Sequence, residues 1–89
     1  MLEPSLLMSR GEKLFVKMQR SKYGWEYRDF DLLYTHFGFE KTEGSEHSLY
    51  IHPQFSELRG SVSRHKGDLA IGYVQHAIKM IKKLKELIE

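Results

Sequence analysis

The sequence contains no cysteine, only two prolines, and no apolar run that approaches the roughly 20 residues needed to span a bilayer. The missing cysteine excludes disulfides, thiolate metal sites and cysteine nucleophiles. The first residues also lack the charged-then-apolar pattern of a secretory signal. We therefore expect a cytoplasmic protein that has no contact with a membrane.

The remaining composition is that of a small folded protein. Of its 89 residues, 40% are hydrophobic and 29% are charged, which is typical of one globular domain with a modest core. The formal net charge of +2 permits contact with phosphates. It is far weaker than the dense basic surface of a dedicated nucleic-acid clamp. Net charge alone therefore does not indicate RNA.

Apolar periodicity predicts an α+β fold in the order α-α-β-β-β-α, as a single domain over residues 1–89 without a linker. Ser9 and Glu12 have the spacing of a capping box for the first helix, and Asp68 is the candidate cap of the last one. We expect a three-stranded antiparallel sheet with the helices packed on one face. The predicted elements are helices over 9–19 and 28–37, strands over 39–42, 47–52 and 59–64, and a helix over 69–87.

The segment 44–53 (GSEHSLYIHP) is the candidate site. A flexible Gly-Ser turn leads into a strand, and His47 lies where the turn becomes the strand. The two-residue period of a strand places His47 on one face with Leu49 and Ile51. Histidine serves as an acid or base near neutral pH with little perturbation. A structural alternative stays open, in which His47 is partly buried and bonded to a neighbouring carbonyl.

The sequence gives little support for a metal site, a nucleotide-binding loop or a serine nucleophile. His47 and His52 do not share a face of the strand and no carboxylates cluster beside them, whereas zinc needs three or four convergent ligands. The sequence shows neither a glycine-rich phosphate loop nor a nucleophile elbow. We therefore expect no metal and no small-molecule cofactor. The basic turn formed by Arg64, His65 and Lys66 has the composition of a phosphate contact.

Three stretches, in this order, resemble the HicA-type toxins. Residues 30–40 (FDLLYTHFGFE) look like that family's helix and its entry into the sheet. The segment 44–53 is similar to the family's glycine-serine-x-histidine stretch, which ends in histidine-proline. Residues 64–69 (RHKGDL), with the long helix after them, match its closing turn and helix. The shared core covers residues 28–88, and residues 1–24 form an N-terminal helical extension.

The resemblance implies a concrete function. HicA proteins are small mRNA interferases with a double-stranded-RNA-binding-domain-like fold, held inactive by a HicB antitoxin. Their cleavage depends on one histidine after the Gly-Ser turn and uses no metal. Carried over to this sequence, that histidine is His47. Many members have the histidine directly after Gly-Ser, whereas Glu46 intervenes here, and Tyr50 and His52 then stay in register with His47.

RNA carries its own nucleophile, the 2′-hydroxyl, so His47 would act as general base or as general acid. Cations would stabilise the charge of the phosphorane, and the small Gly-Ser turn would let the RNA backbone approach closely. The residues expected to contact RNA are Lys41, Gly44, Ser45, Tyr50, Arg64, His65 and Lys66.

Two rival hypotheses keep the fold but not the catalysis. The first is a non-catalytic RNA-binding module, which reads A-form RNA by its shape and phosphates. The second is a protein-interaction module whose sheet or last helix docks a partner. Dependence on His47 separates the enzyme from both rivals, and the salt dependence of RNA affinity separates the rivals from each other.

Overall fold

A computed structural model describes residues 9–88, and expectations for residues 1–8 and 89 lie outside it. Within this range, the predicted order and the α+β class are confirmed. The elements are α1 (Arg10–Arg20), α2 (Tyr27–His36), β1 (Glu40–Glu43), β2 (His47–Ile51), β3 (Arg59–Ser63) and α3 (Ile71–Ile88).

The three strands form one antiparallel sheet in the order β1-β2-β3. Its inner face carries the buried side chains of Ser48, Tyr50 and Val62. Tyr34 of α2 stacks on Tyr50 there, with ring centroids 4.9 Å apart. The outer face carries the exposed His47 and the half-buried Leu49 and Ile51 of β2. The helices thus pack on one face of the sheet, as expected.

Helix α1 belongs to the same core as the sheet. Its Leu14, Phe15 and Met18 are buried in the main apolar cluster. The Ser9 hydroxyl caps the helix by accepting from the Glu12 backbone N–H at 3.2 Å. Instead of completing the predicted capping box, the Glu12 carboxylate lies 3.4 Å from the Lys85 ammonium of α3. Packing against α3 therefore redirects a side chain that local spacing assigned to the cap.

The predicted cap of the last helix is wrong. Asp68 forms an isolated antiparallel bridge with Glu26, and the Leu69 N–H donates to the Trp25 carbonyl at 2.8 Å. Helix α3 begins only at Ile71. The bridge holds Asp68, and the bond to Trp25 holds the Leu69 N–H, so the helix starts later than the sequence pattern indicated.

Gly60, in β3, makes room for the buried ring of Tyr34. A Cβ at position 60 would lie 2.8 Å from Cζ of Tyr34, which is held by stacking and cannot withdraw. We expect Gly60→Ala to lower the free energy of unfolding by about 1–3 kcal/mol through overpacking. Thermal unfolding followed by circular dichroism measures this, with about 4–8 °C in Tm per kcal/mol.

The matched control is Gly72→Ala in α3. A Cβ there meets no atom within 4 Å, and alanine favours a helix more than glycine does. Its Tm should be unchanged or slightly higher. Equal stability of the two variants would contradict the packing role assigned to Gly60.

Because of Tyr34, the free energy of unfolding is expected to fall as the pH rises in the alkaline range. Burial raises the pKa of the Tyr34 hydroxyl above its ordinary value, because the buried site disfavours the phenolate. The unfolded chain ionises near pH 10, so this contribution is complete below pH 10 and is lost above it, by about 1.4 kcal/mol per pH unit. Tyr34→Phe should flatten the loss measured by urea unfolding between pH 9 and 11.5. Tyr23→Phe, which removes a hydroxyl from a side chain that is 74% exposed, should keep the wild-type slope.

Candidate functional site

The backbone around His47 is held on both sides. The Gly44 N–H donates to the His47 carbonyl at 2.8 Å, which closes the turn between β1 and β2. The Arg64 N–H donates to the Glu46 carbonyl at 3.0 Å and extends the pairing of β2 with β3. The direction in which the His47 side chain leaves the sheet is therefore fixed.

Within residues 9–88, the imidazole of His47 has no hydrogen-bond partner. Among residues 9–88, it is the one histidine ring of five that makes no hydrogen bond, and it is exposed. The partners of the other four rings are Ser9 for His36 (3.1 Å), Gln54 for His52 (3.2 Å), Ser63 for His65 (3.0 Å) and Arg59 for His76 (2.7 Å). The structural alternative, a partly buried histidine bonded to a carbonyl, does not describe His47.

Strand register brings Ser63 opposite His47. The neighbouring pair, Glu46 and Arg64, is hydrogen-bonded through the Arg64 N–H. Hydrogen-bonded and non-hydrogen-bonded pairs alternate along an antiparallel ladder, so His47 and Ser63 form a non-hydrogen-bonded pair, the type in which side chains lie closest. The Ser63 hydroxyl in turn contacts Nδ1 of His65 at 3.0 Å. The His65 ring is therefore bonded to the residue that lies opposite His47 in the sheet. Sequence reasoning missed Ser63, because alternation predicts a strand but not its register.

Arg64 clamps the Gly-Ser turn from the inner side. Its Nη2 donates to the carbonyls of Gly44 and Ser45, the latter at 2.9 Å, and its Nη1 donates to the Ser48 hydroxyl at 3.2 Å. These bonds join three segments at the start of β2. The sequence predicted Arg64 as a phosphate contact, and the structure shows that much of its donor capacity is already directed at the turn.

Tyr50 is not available to RNA, which corrects its predicted role. Its side chain is fully buried, because position 50 lies on the inner face beneath α2. Its hydroxyl donates to the Asp31 carboxylate at 2.7 Å and lies 3.1 Å from the Tyr27 hydroxyl, which contacts Ser48 at 2.9 Å. Burial, together with these hydrogen bonds, raises the pKa of Tyr50. The residue links α2 to the start of β2.

Lys41 is likewise not brought to His47. It pairs with Tyr50 in the register and so belongs to the inner face, whereas His47 projects from the outer one. Its ammonium lies 3.0 Å from the Asp31 carboxylate, and this hydrogen bond raises the pKa of Lys41. The predicted cation is on the wrong side of the sheet to stabilise a phosphate at His47.

An open cleft of about 360 Å³ lies at the end of the sheet where β2 begins, and His47 is not among its lining residues. Two of the predicted RNA contacts, Gly44 and Lys66, do not line the cleft. They are exposed and are the sequence neighbours of the lining residues Ser45 and His65. Glu46 contributes a carboxylate that partly offsets the positive charge. The residues that line the cleft are Ser45, Glu46, Ser63, Arg64 and His65.

Comparison with other proteins adds no assignment to this geometry. No protein-family model, curated protein or solved structure matches the chain. Within residues 9–88, no three histidine or carboxylate side chains converge closely enough to hold a metal ion. No helix in the same range is long and apolar enough to cross a bilayer. A functional assignment therefore rests on the residues around His47.

Proposed function

We propose that the protein is a cytoplasmic, metal-independent endoribonuclease that cleaves mRNA as the toxin of a type II toxin–antitoxin system, and that a HicB-like antitoxin neutralises it. The observation that carries this proposal is the unoccupied, exposed imidazole of His47 on a backbone that is bonded on both sides. The HicA-like segment 44–53 and the α-β-β-β-α order of the core support it.

In the proposed reaction, His47 acts as the general base. It removes the proton of a 2′-hydroxyl, whose oxygen forms a bond to the adjacent phosphorus while the bond from phosphorus to the 5′-oxygen breaks. His47 is the single catalytic histidine of this reaction, the leaving oxygen takes up a proton from water, and His65, bonded to Ser63 through Nδ1, contacts the RNA. The products are a 2′,3′-cyclic phosphate and a 5′-hydroxyl.

Positive charge beside the cleft supports the transition state. Lys66 follows His65 on the exposed turn after β3 and is the candidate cation, whereas Arg64 acts through the Gly-Ser turn that it holds from the inner side. A cation at this position acts on the charge that develops on the phosphorane. Gly44 and Ser45 carry at most a small side chain, so an RNA backbone can approach the turn.

The test is expression of the chain in a bacterial host, followed by measurement of growth and mRNA integrity, and incubation of the purified protein with RNA. We expect growth arrest, fragmented mRNA, cyclic-phosphate ends and cleavage that persists in EDTA. Intact RNA, or cleavage that requires a divalent cation, would overturn the proposal. RNA binding without cleavage would favour the non-catalytic RNA-binding module instead.

A further inference from the structure

A stripe of four cations runs along the surface of α1. Arg10, Lys13, Lys17 and Arg20 recur every three or four residues and fall within an arc of about 80° on a helix of 3.6 residues per turn. Arg10, Lys17 and Arg20 are exposed and Lys13 is half-buried. The buried apolar side chains of α1 lie on a different face, so the stripe is directed away from the core.

No carboxylate of residues 9–88 forms an ion pair with this stripe. Within residues 9–88, the two ion pairs join Lys41 to Asp31 and Lys85 to Glu12. Residues 9–28 contain six basic and two acidic side chains, a net charge of +4, whereas the whole chain carries +2. Like charges three or four positions apart destabilise a helix. An anion from outside the chain would relieve this repulsion.

Three residues of the stripe, Arg10, Lys13 and Lys17, form one wall of a groove between α1 and α2, of about 260 Å³, which we name the basic groove. Trp25 also lines it, half-buried, and its indole N–H donates to the Ser21 carbonyl at 2.7 Å, which orients the ring. The single carboxylate in the lining, that of Asp29, already accepts from the Glu26 N–H at 2.9 Å. The lining residues are Arg10, Lys13, Leu14, Lys17, Trp25, Asp29 and Leu32.

We propose that the basic groove binds single-stranded nucleic acid, with phosphates on the cationic stripe and a base stacked on Trp25. Successive cations with an aromatic platform are the combination that sequence-tolerant single-strand binders use. An acidic peptide would match the charge, but it would not use the exposed part of the indole as a stacking surface. The groove lies in the helical layer, whereas His47 projects from the opposite, outer face of the sheet. Binding here therefore does not depend on catalysis at His47.

Trp25 is the single tryptophan of the chain, so its fluorescence reports on the groove. The experiment titrates the full-length His47→Ala protein with a fluorescein-labelled 12-nucleotide oligouridylate, and follows tryptophan emission and anisotropy at several salt concentrations. Lys13→Gln/Lys17→Gln removes two groove cations. The matched control, Lys79→Gln/Lys82→Gln, removes two exposed lysines of α3.

We expect the oligonucleotide to quench Trp25 and the groove variant to bind at least about 10-fold more weakly. Two lost phosphate contacts should also reduce the slope of log K against log salt by about 1.4. The control should change affinity less than about two-fold. Cleavage by the wild-type chain is assayed separately, so the failure of one inference is distinguishable from the failure of the other.

Three results would overturn the proposal. Equal losses in the groove variant and the control would mean that only overall charge matters. Binding without quenching of Trp25 would place the nucleic acid elsewhere. Tighter binding of polyglutamate than of oligouridylate, with the same dependence on Lys13 and Lys17, would identify an acidic protein segment as the ligand.

Discussion

His47→Ala is expected to slow RNA cleavage by about 10²- to 10⁴-fold, the usual contribution of a positioned general acid or base. The fold should survive the change, because the side chain is exposed and makes no hydrogen bond within residues 9–88. Substitutions at such positions usually alter stability by less than about 0.5 kcal/mol. Time courses of cleavage and thermal unfolding of the same preparation measure both quantities.

His76→Ala is the control for this experiment. His76 lies on α3 and contacts the Arg59 carbonyl at 2.7 Å, so the variant removes an exposed imidazole that has no place in the proposed reaction. It should cleave RNA and arrest growth like the wild type. If His47→Ala and the wild type are equally toxic, or equally harmless, His47 has no catalytic role and a non-catalytic module becomes the better interpretation.

Arg64→Lys should lower kcat by about 10- to 100-fold although it conserves the charge. A lysine ammonium cannot reproduce the planar fork that reaches Gly44, Ser45 and Ser48 together. The turn before His47 would then lose its clamp, and displacements of about 1 Å near reacting groups can reduce rates by 10²-fold. Steady-state kinetics at two salt concentrations test this expectation.

Arg59→Lys is a matched control at the first residue of β3, the strand that Arg64 directly follows. Arg59 also donates to a backbone carbonyl, that of Ser56, through Nε and Nη2 at 2.9 and 2.7 Å, but away from the Gly-Ser turn. It should keep kcat. A raised KM with unchanged kcat in Arg64→Lys would contradict the positioning role, because it would indicate loss of uniform substrate binding rather than misplacement of the reacting groups.

The net charge of the whole chain does not reveal the cluster of basic residues on α1. The net charge of +2 argued against a nucleic-acid clamp, although α1 alone carries Arg10, Lys13, Lys17 and Arg20 on one stripe. Helical periodicity makes such a stripe visible in the sequence. That no acidic residue of the described chain pairs with it depends on which elements pack against α1, and this requires the tertiary structure.

Strand alternation predicted two faces for β2 but not which one the helices cover. The RNA contacts predicted from the sequence include Tyr50 and Lys41, although their shared inner face packs beneath α2. Alternation also left the offset between β2 and β3 undefined. The register places Ser63 opposite His47 and Gly60 opposite Tyr50.

By itself, the sequence determined the order of the helices and strands, the position of His47 at the start of a strand, and the exclusion of thiol chemistry. These features follow from local periodicity, turn residues and composition. Only the tertiary structure decided which face is covered, that Arg64 clamps the turn, and that Asp68 pairs with Glu26 instead of capping α3. Such contacts join residues distant in sequence, so no local pattern specifies them.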